Sequence, residues 1–450
     1  MEKRIYDADV ERLSRDEIKL LRQERLTELL SKVWRENAFY RERWTAAGVS
    51  LDKITSQERF TAEIPTVEKQ DFVEDQKAFP PFGLRHKHVL EARLPLVVSN
   101  TSGTSGQGVE IHAQTADEFV GTGHIYGFHM RWSGLERADG VFLTLPITLM
   151  SGGRCEYQGA YSYGLTVYPV GNYDAARKLE LMTRYRPRAL LGTTSYFGHL
   201  AAVAGEGAAA LGLEVLMTGG EGSGFAWLER LEEAWGATVF DRYGSTQTGN
   251  DHMFCCEAGI GTAARPGMLH NIDSMVIAEV IDPATGRQVP DGEAGEIVVT
   301  SLYHTDTPLI RCRTRDRGVW HEPGYCACGR PFGGIEVASI SRLDDMKKVK
   351  GVNIWPQAVD DVMFADAEVD EYQVVLTSDA RNADIGAIRV MPKNPLAEEV
   401  AGRWQRSLAE RLNKRIGITF IVEVLAPGAL VRSEYKAKRW MDQRGHAQRS

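Results

Sequence analysis

The chain has 450 residues, 43% of them hydrophobic and 25% charged, with a formal net charge of −8. That is the composition of a globular protein large enough for more than one domain, and its acidic balance without a long Lys/Arg run argues against a nucleic-acid surface. Without an apolar run of about 18 residues or a leader-like N-terminus (Met-Glu-Lys-Arg-Ile-Tyr), neither a membrane span nor a signal peptide is expected, and a cytoplasmic location is the simplest reading.

Residues 15–46 carry Ile18, Leu21, Leu26, Leu29, Leu30 and Val33 at helical spacing among many charges, which predicts an amphipathic helix and its continuation. After a Pro-punctuated passage, the apolar run Leu94-Pro-Leu-Val-Val98 predicts a strand that empties into Ser-Asn-Thr-Ser-Gly-Thr-Ser-Gly-Gln-Gly-Val109. Gly103, Gly106 and Gly108 would let backbone N–H groups approach an anion closely. Thr101, Ser102, Thr104 and Ser105 add hydroxyl donors, so the stretch can wrap a polyphosphate with dipoles. No Lys or Arg stands in it, which separates it from the P-loop pattern. Taken alone, such a stretch is also ordinary loop punctuation.

From there to about residue 240, short apolar runs (140–145, 165–168, 189–191, 213–217, 238–240) alternate with helical segments such as 173–185 and 223–235. This pitch predicts a layered α/β domain with a largely parallel sheet and ligands at the strand ends. Three strand ends carry polar residues: Thr218-Gly-Gly-Glu-Gly-Ser223, Arg242-Tyr-Gly-Ser-Thr-Gln-Thr-Gly249 and, after Leu309-Ile310, Arg311-Cys-Arg-Thr-Arg-Asp316. Residues 275–300 predict antiparallel hairpins around a turn at Asp282-Pro-Ala-Thr-Gly286. A charged passage after Ile340 marks a boundary, giving a large domain over 1–341 and a small α+β domain over 342–450.

A Gly/Ser/Thr loop, a Tyr-Gly-Ser-Thr strand end, an Arg-Thr-x-Asp strand end, an Arg-x-Asp-Asp junction and a late Lys occur here in that order. The chain thereby resembles the adenylate-forming superfamily, and within it the phenylacetate-CoA ligase branch, along nearly its whole length. Phe39-Tyr-Arg-Glu-Arg43, Arg342-Leu-Asp-Asp-Met346 and Arg432-Ser-Glu-Tyr-Lys-Ala-Lys438 belong to the likeness. The resemblance implies a carboxylate attacking the α-phosphate of ATP to give an acyl-adenylate, then displacement of AMP by the thiol of CoA. It implies that Thr101, Ser102, Gly103, Thr104, Ser105 and Gly106 wrap the β- and γ-phosphates. Gly219, Gly220 and Glu221 would lie along adenine and the acyl group, Tyr243 would stack on adenine, and Arg242, Gly244 and Arg342 would belong to the nucleotide site. Thr246 would touch the α-phosphate, Asp316 would bind the ribose hydroxyls, and Lys436, or Lys438 two positions on, would stabilise the developing charge. Asp344 would be the hinge of a mobile small domain.

Three residues depart from the family pattern. Gln247 stands where a Glu usually ligates Mg²⁺, and an amide oxygen brings no charge, so metal binding is expected to weaken. Arg315 replaces the usual Gly of Thr-Gly-Asp, and Gln107 stands where a Lys is frequent. A carrier-protein thiol or a nitrogen nucleophile as acceptor stays open, as does a non-catalytic nucleotide-binding relative. By the same resemblance, the acyl pocket draws on the stretch 145–165 with Leu149, Gly152, Gly153 and Arg154, together with Ser245. Arg154, Glu156 and Gln158 there suggest a polar-substituted aromatic acid, or else side chains facing solvent or one another.

Of the cysteines Cys155, Cys255, Cys256, Cys312, Cys326 and Cys328, the Cys326-Ala-Cys328 pair with Cys255-Cys256 upstream, Cys256 first among them, could hold a structural Zn²⁺, with His252 or His270 as fourth ligand. The remaining thiols are expected to stay reduced. A homodimer is a further expectation.

Overall fold

The computed structural model describes residues 2–101, 109–379, 383–430 and 439–444. It divides into two compact units. Met1–Gly192, Leu211–Gly220 and Thr238–Ile340 form the first, and Thr193–Ala210, Glu221–Ala237 and Ser341–Ser450 the second.

In the first unit the opening helical stretch breaks once. Helices Arg15–Glu36 and Ala38–Ala46 meet at Asn37, whose extended backbone (φ −103°, ψ 107°) lets its side chain accept from the Tyr40 N–H. An Asn that bonds its own following turn competes with helix continuation, so the capping residue divides one predicted helix into two. Leu26, Leu29, Leu30 and Val33 join Phe39, Tyr40 and Trp44 in a core that also takes Leu309, Ile310 and Cys312. Leu309-Ile310 is therefore core filling and not the strand its apolarity predicts. The chain turns at Arg311 (φ 46°) and the strand starts only at Cys312, because the Arg311 guanidinium is held by Glu279 and the carbonyls of Thr61 and Ile64.

Among the described residues, strand β1 (Leu96–Asn100) pairs only with antiparallel β2 (Ile111–Thr115), from Leu96 opposite Thr115 to Asn100 opposite Ile111. The strand that feeds the Gly/Ser/Thr stretch thus stands apart from the parallel layer. That layer runs β4 (Thr166–Pro169), β3 (Gly140–Leu143), β5 (Ala189–Gly192), β6 (Val215–Thr218), β7 (Thr238–Gly244), all parallel. Every residue of β5 and β6 is buried, as a strand covered on both faces requires.

Beyond β7 the pairing turns antiparallel, first to β8 (Asp251–Cys255). A short hairpin of β9 (Gly261–Thr262) and β10 (Arg265–Pro266) leads to β11 (Met268–Asn271). The sheet continues through β15 (Gly334–Glu336) and β14 (Cys312–His321) to the hairpin of β13 (Ala294–Ser301) and β12 (Val276–Ile281). Arg330, wholly buried, fastens the N-terminal segment to this region: its guanidinium meets Glu11 at 3.0 Å, Glu257 at 2.7 Å and the Arg4 carbonyl at 2.7 Å.

The last segment of the second unit opens with β16 (Ser341–Arg342) and the hairpin of β17 (Lys347–Val349) and β18 (Val352–Ile354). Its sheet pairs β19 (Val369–Ser378) antiparallel to β20 (Asp384–Pro392), with β21 (Ile421–Val424) and β22 (Trp440–Asp442) added in parallel at the two edges. Helices Thr194–Ala204 and Phe225–Trp235 belong to this unit. Trp227 sits 4.4 Å from the Phe364 ring, and Arg230 donates to the carbonyls of Asp366 and Val369. Among the described residues, no helix is long and apolar enough to cross a membrane.

Candidate active site

The turn after β7 reaches three parts of the first unit at once. Tyr243, on the last residues of β7, donates its hydroxyl to Asp316 at 3.0 Å and Thr314 at 3.2 Å on β14. Thr246 Oγ1 lies 3.1 Å from Ser151 Oγ, at the start of helix Ser151–Tyr163. Gln247 donates from Nε2 to Glu110 at 3.0 Å. Glu110 in turn closes the neck of the Gly/Ser/Thr stretch: its N–H donates to Thr101 Oγ1 and its carbonyl accepts from Thr101 N–H, both at 3.0 Å. The residues expected at ribose, acyl group and phosphates thus share one strand end, although β14 and the β1–β2 ladder lie far apart in sequence.

The floor of this turn is an ionic knot. Arg242, 4% exposed, pairs with Glu156, donates to Asp251 at 2.8 Å and reaches the Met217 carbonyl at 2.8 Å. Its side chain holds β6, β7 and helix Ser151–Tyr163 together. Glu156 is 1% exposed and engaged in this pair, and Gln158 bonds Ser162 at 3.1 Å, so both have protein partners. Arg154 differs. Its Nη2 donates to Ser99 Oγ at 2.6 Å, while its buried Nε has no hydrogen-bond partner among the described residues.

Gly219 lies so close to Arg242 that an added Cβ would stand 2.7 Å from Arg242 Cγ, and Gly220 turns with φ +79°. A side chain at either would close the ledge between β6 and β7. Gly244 likewise has no room for a Cβ beside Asn250 and Asp251, nor Gly153 beside Pro146. Gly152 abuts Leu145, Leu149 is exposed, and Ser245 N–H donates to Thr248 Oγ1 at 3.0 Å. Arg315 adopts φ +62°, the left-handed region in which the family's usual glycine is at ease. In the second unit, Glu221 accepts from Thr194 Oγ1 at 2.8 Å and Ser195 N–H at 2.6 Å, and Arg342 and Asp344 are exposed where that unit begins. Ser102, Gly103, Thr104, Ser105, Gly106, Gln107, Gly108, Arg432, Lys436 and Lys438 lie outside the described residues.

A second constellation draws on the residue after β8, on β11 and on the β14–β15 connection. The ligand atoms of Cys256, His270, Cys326 and Cys328 all lie within 4.8 Å of one another. Cys256 Sγ is 3.6 Å from Cys326 Sγ, and Cys328 Sγ is 3.4 Å from His270 Nε2. A tetrahedron with bonds of about 2.3 Å to sulfur and 2.0–2.1 Å to nitrogen has edges of about 3.5–3.8 Å, which this spacing fits. His270 Nδ1 faces the Phe332 carbonyl at 3.4 Å, leaving Nε2 to the cluster. His252, the alternative ligand, turns instead to Asn271 at 3.2 Å.

Glu110, His112, Arg85 and Ser151 escape a motif reading. The one local signal is an acidic residue directly after a Gly/Ser/Thr stretch, where the following strand buries its last four residues.

The family model of AMP-binding enzymes matches residues 31–304, and that of the AMP-binding enzyme C-terminal domain residues 351–444. The phenylacetate-coenzyme A ligase of Thermus thermophilus is 27% identical over 98% of this chain and 100% of its own length, and that of Pseudomonas putida 26% over 98% of each. Among solved structures, a 2-hydroxyisobutyryl-CoA ligase in its postadenylation state superposes with a TM-score of 0.82 at 26% identity, covering 96% of this chain and 90% of that one.

Proposed function

Since the chain belongs to the AMP-binding enzyme family and is an acid–thiol ligase that joins an acyl group to CoA through an acyl-adenylate, we propose that its acid is a small aromatic carboxylate. The phenylacetate-coenzyme A ligase relatives support an aromatic acid, and the observation that carries the adenylation step is the turn after β7, whose Tyr243, Thr246 and Gln247 bond respectively to Asp316, Ser151 and Glu110. One short segment then aligns the carboxylate with the α-phosphate, which is the positioning that adenylation demands.

In this mechanism Asp316, oriented by the Tyr243 hydroxyl, accepts from the ribose hydroxyls while the tyrosine ring covers adenine. Thr246 donates to the α-phosphate from a hydroxyl fixed by Ser151. The hydroxyls and N–H groups from Thr101 onward hold the leaving pyrophosphate. Lys436 neutralises charge as the carboxylate attacks, and Asp344 is the pivot about which the small domain turns before CoA reacts. Mg²⁺, when bound, offsets the charge of the phosphates, with Gln247 Oε1 as a neutral oxygen ligand. Zn²⁺ at Cys256, His270, Cys326 and Cys328 would pin the β14–β15 connection and take no part in the chemistry.

With Glu156 and Gln158 engaged elsewhere, a polar substituent on the acid would meet Arg154. The relatives named above support widening the panel to phenylacetate and 2-hydroxyisobutyrate alongside hydroxy- and aminobenzoates. Pyrophosphate release from ATP with each acid, with and without CoA, tests the proposal. Acid-dependent release led by an aromatic acid is expected, with thioester formed when CoA is present. Faster release with 2-hydroxyisobutyrate than with any aromatic acid would overturn the substrate assignment. Lys436→Ala should abolish release while ATP still binds.

A further inference from the structure

Glu110 is fully buried, and its carboxylate stands at the neck of the stretch that is to hold a polyphosphate. Oε2 accepts from Gln247 Nε2 at 3.0 Å. Oε1 faces His112 Nε2 at 3.3 Å, and Lys69 Nζ pairs with Oε2 at 4.0 Å. Behind His112, Arg85 Nη1 meets the imidazole Nδ1 at 3.0 Å, while its guanidinium lies over the Phe72 ring. These contacts offset the charge in part and fix the carboxylate in one place.

A buried carboxylate is costly unless it is compensated, and beside bound phosphates it adds repulsion unless a cation stands between them. The neutral amide of Gln247 adds a hydrogen bond but no charge to that compensation. The amide is planar, so with Nε2 turned to Glu110 its Oε1 is turned away, and the opposite assignment would set two acceptor oxygens together.

From this geometry we infer that Glu110 is the positioning residue of the magnesium site, supplying from one hydrogen bond away the negative charge that position 247 lacks and aiming Gln247 Oε1 at the ion. The inference rests on the ligase reading above. The weakened metal binding expected from Gln247 alone is thereby made good, and the departure becomes an exchange of charge between two residues in contact.

The test is calorimetric binding of α,β-methylene ATP, a non-hydrolysable analogue, to the full chain with and without Mg²⁺. Wild type should bind the analogue more tightly with the ion. In Glu110→Gln the gain from Mg²⁺ should fall about 10- to 100-fold, the usual loss on removing a partner of a metal ligand, with Mg²⁺-free affinity no weaker than in wild type. The exchanged pair Glu110→Gln with Gln247→Glu should recover the gain. An undiminished Mg²⁺ gain in Glu110→Gln overturns the inference. If Glu110→Gln loses Mg²⁺-free binding as well, the exchanged pair decides, since failure to recover there overturns it too. A wild-type chain that does not bind the analogue at all overturns instead the ligase reading on which it rests.

Discussion

Replacing Glu156 by Gln separates a structural role from a substrate role at the pocket floor. The side chain keeps its shape and loses the charge that faces Arg242, in a pair where both partners are buried. Cutting one member of an isolated buried pair costs about 3–5 kcal/mol. Arg242, however, keeps Asp251 at 2.8 Å and the Met217 carbonyl at 2.8 Å, so its charge is not abandoned. What is lost is one charge-assisted hydrogen bond, about 1.5–3 kcal/mol, or a fall in Tm of about 3–6 °C at roughly 2 °C per kcal/mol for a domain of this size. Thermal unfolding and kcat/KM across the acid panel are measured on the same preparation. Because Arg242 supports β7 as a whole, all acids should slow together and their ranking should not change. Unaltered stability with a reordered ranking would refute this reasoning and place Glu156 against the substrate.

The tyrosine at the end of β7 makes a narrower prediction: Tyr243→Phe keeps the ring but frees Asp316 of its 3.0 Å bond, so ATP affinity should weaken by about 1 kcal/mol, read as KM for ATP with acid affinity unchanged. Metal analysis should return about one Zn²⁺ per chain, and Cys328→Ser should remove it and lower Tm, while the chain that remains folded still binds ATP. Burial pushes His252 down to about 4 and His304 down to about 3, whereas unfolded histidines titrate near 6.5. The unfolded chain therefore binds the extra protons, and stability should be intact above about pH 6.5 and fall by about 1.4 kcal/mol per pH unit for each histidine toward pH 4. Urea titrations at pH 7.5 and 5.5 measure this, and His304→Gln should flatten the loss.

The alternation of apolar runs with helical segments from 140 to 240 was enough to read the parallel layer, because strand period and length are local properties of the chain. The same holds for the hairpin of β12 and β13, whose turn residues stand between two β-branched runs, and for the order of motifs from Thr101 to Asp316. Leu309-Ile310 misled, since two buried apolar residues look alike in a strand and in a helical core, and only the packing against Leu26, Leu30 and Trp44 distinguishes them. The break at Asn37 needed the capping geometry as well as the residue.

Partners were the other matter that the order of residues left open. Glu156 lies 86 residues from Arg242 and Gln247 lies 137 from Glu110, and nothing in the spacing marks either pair. His252 and His270 offered the same ligand chemistry to the three cysteines, until the register of β11 against β8 turned one to Asn271 and the other to Cys328. Local order of residues was enough for most backbone segments, Leu309-Ile310 and the break at Asn37 aside, and for which of them carry donors, acceptors and thiols. Which charge meets which was decided by the tertiary structure, because pairing across a sheet follows strand order and register, and these are set by the burial of the whole chain.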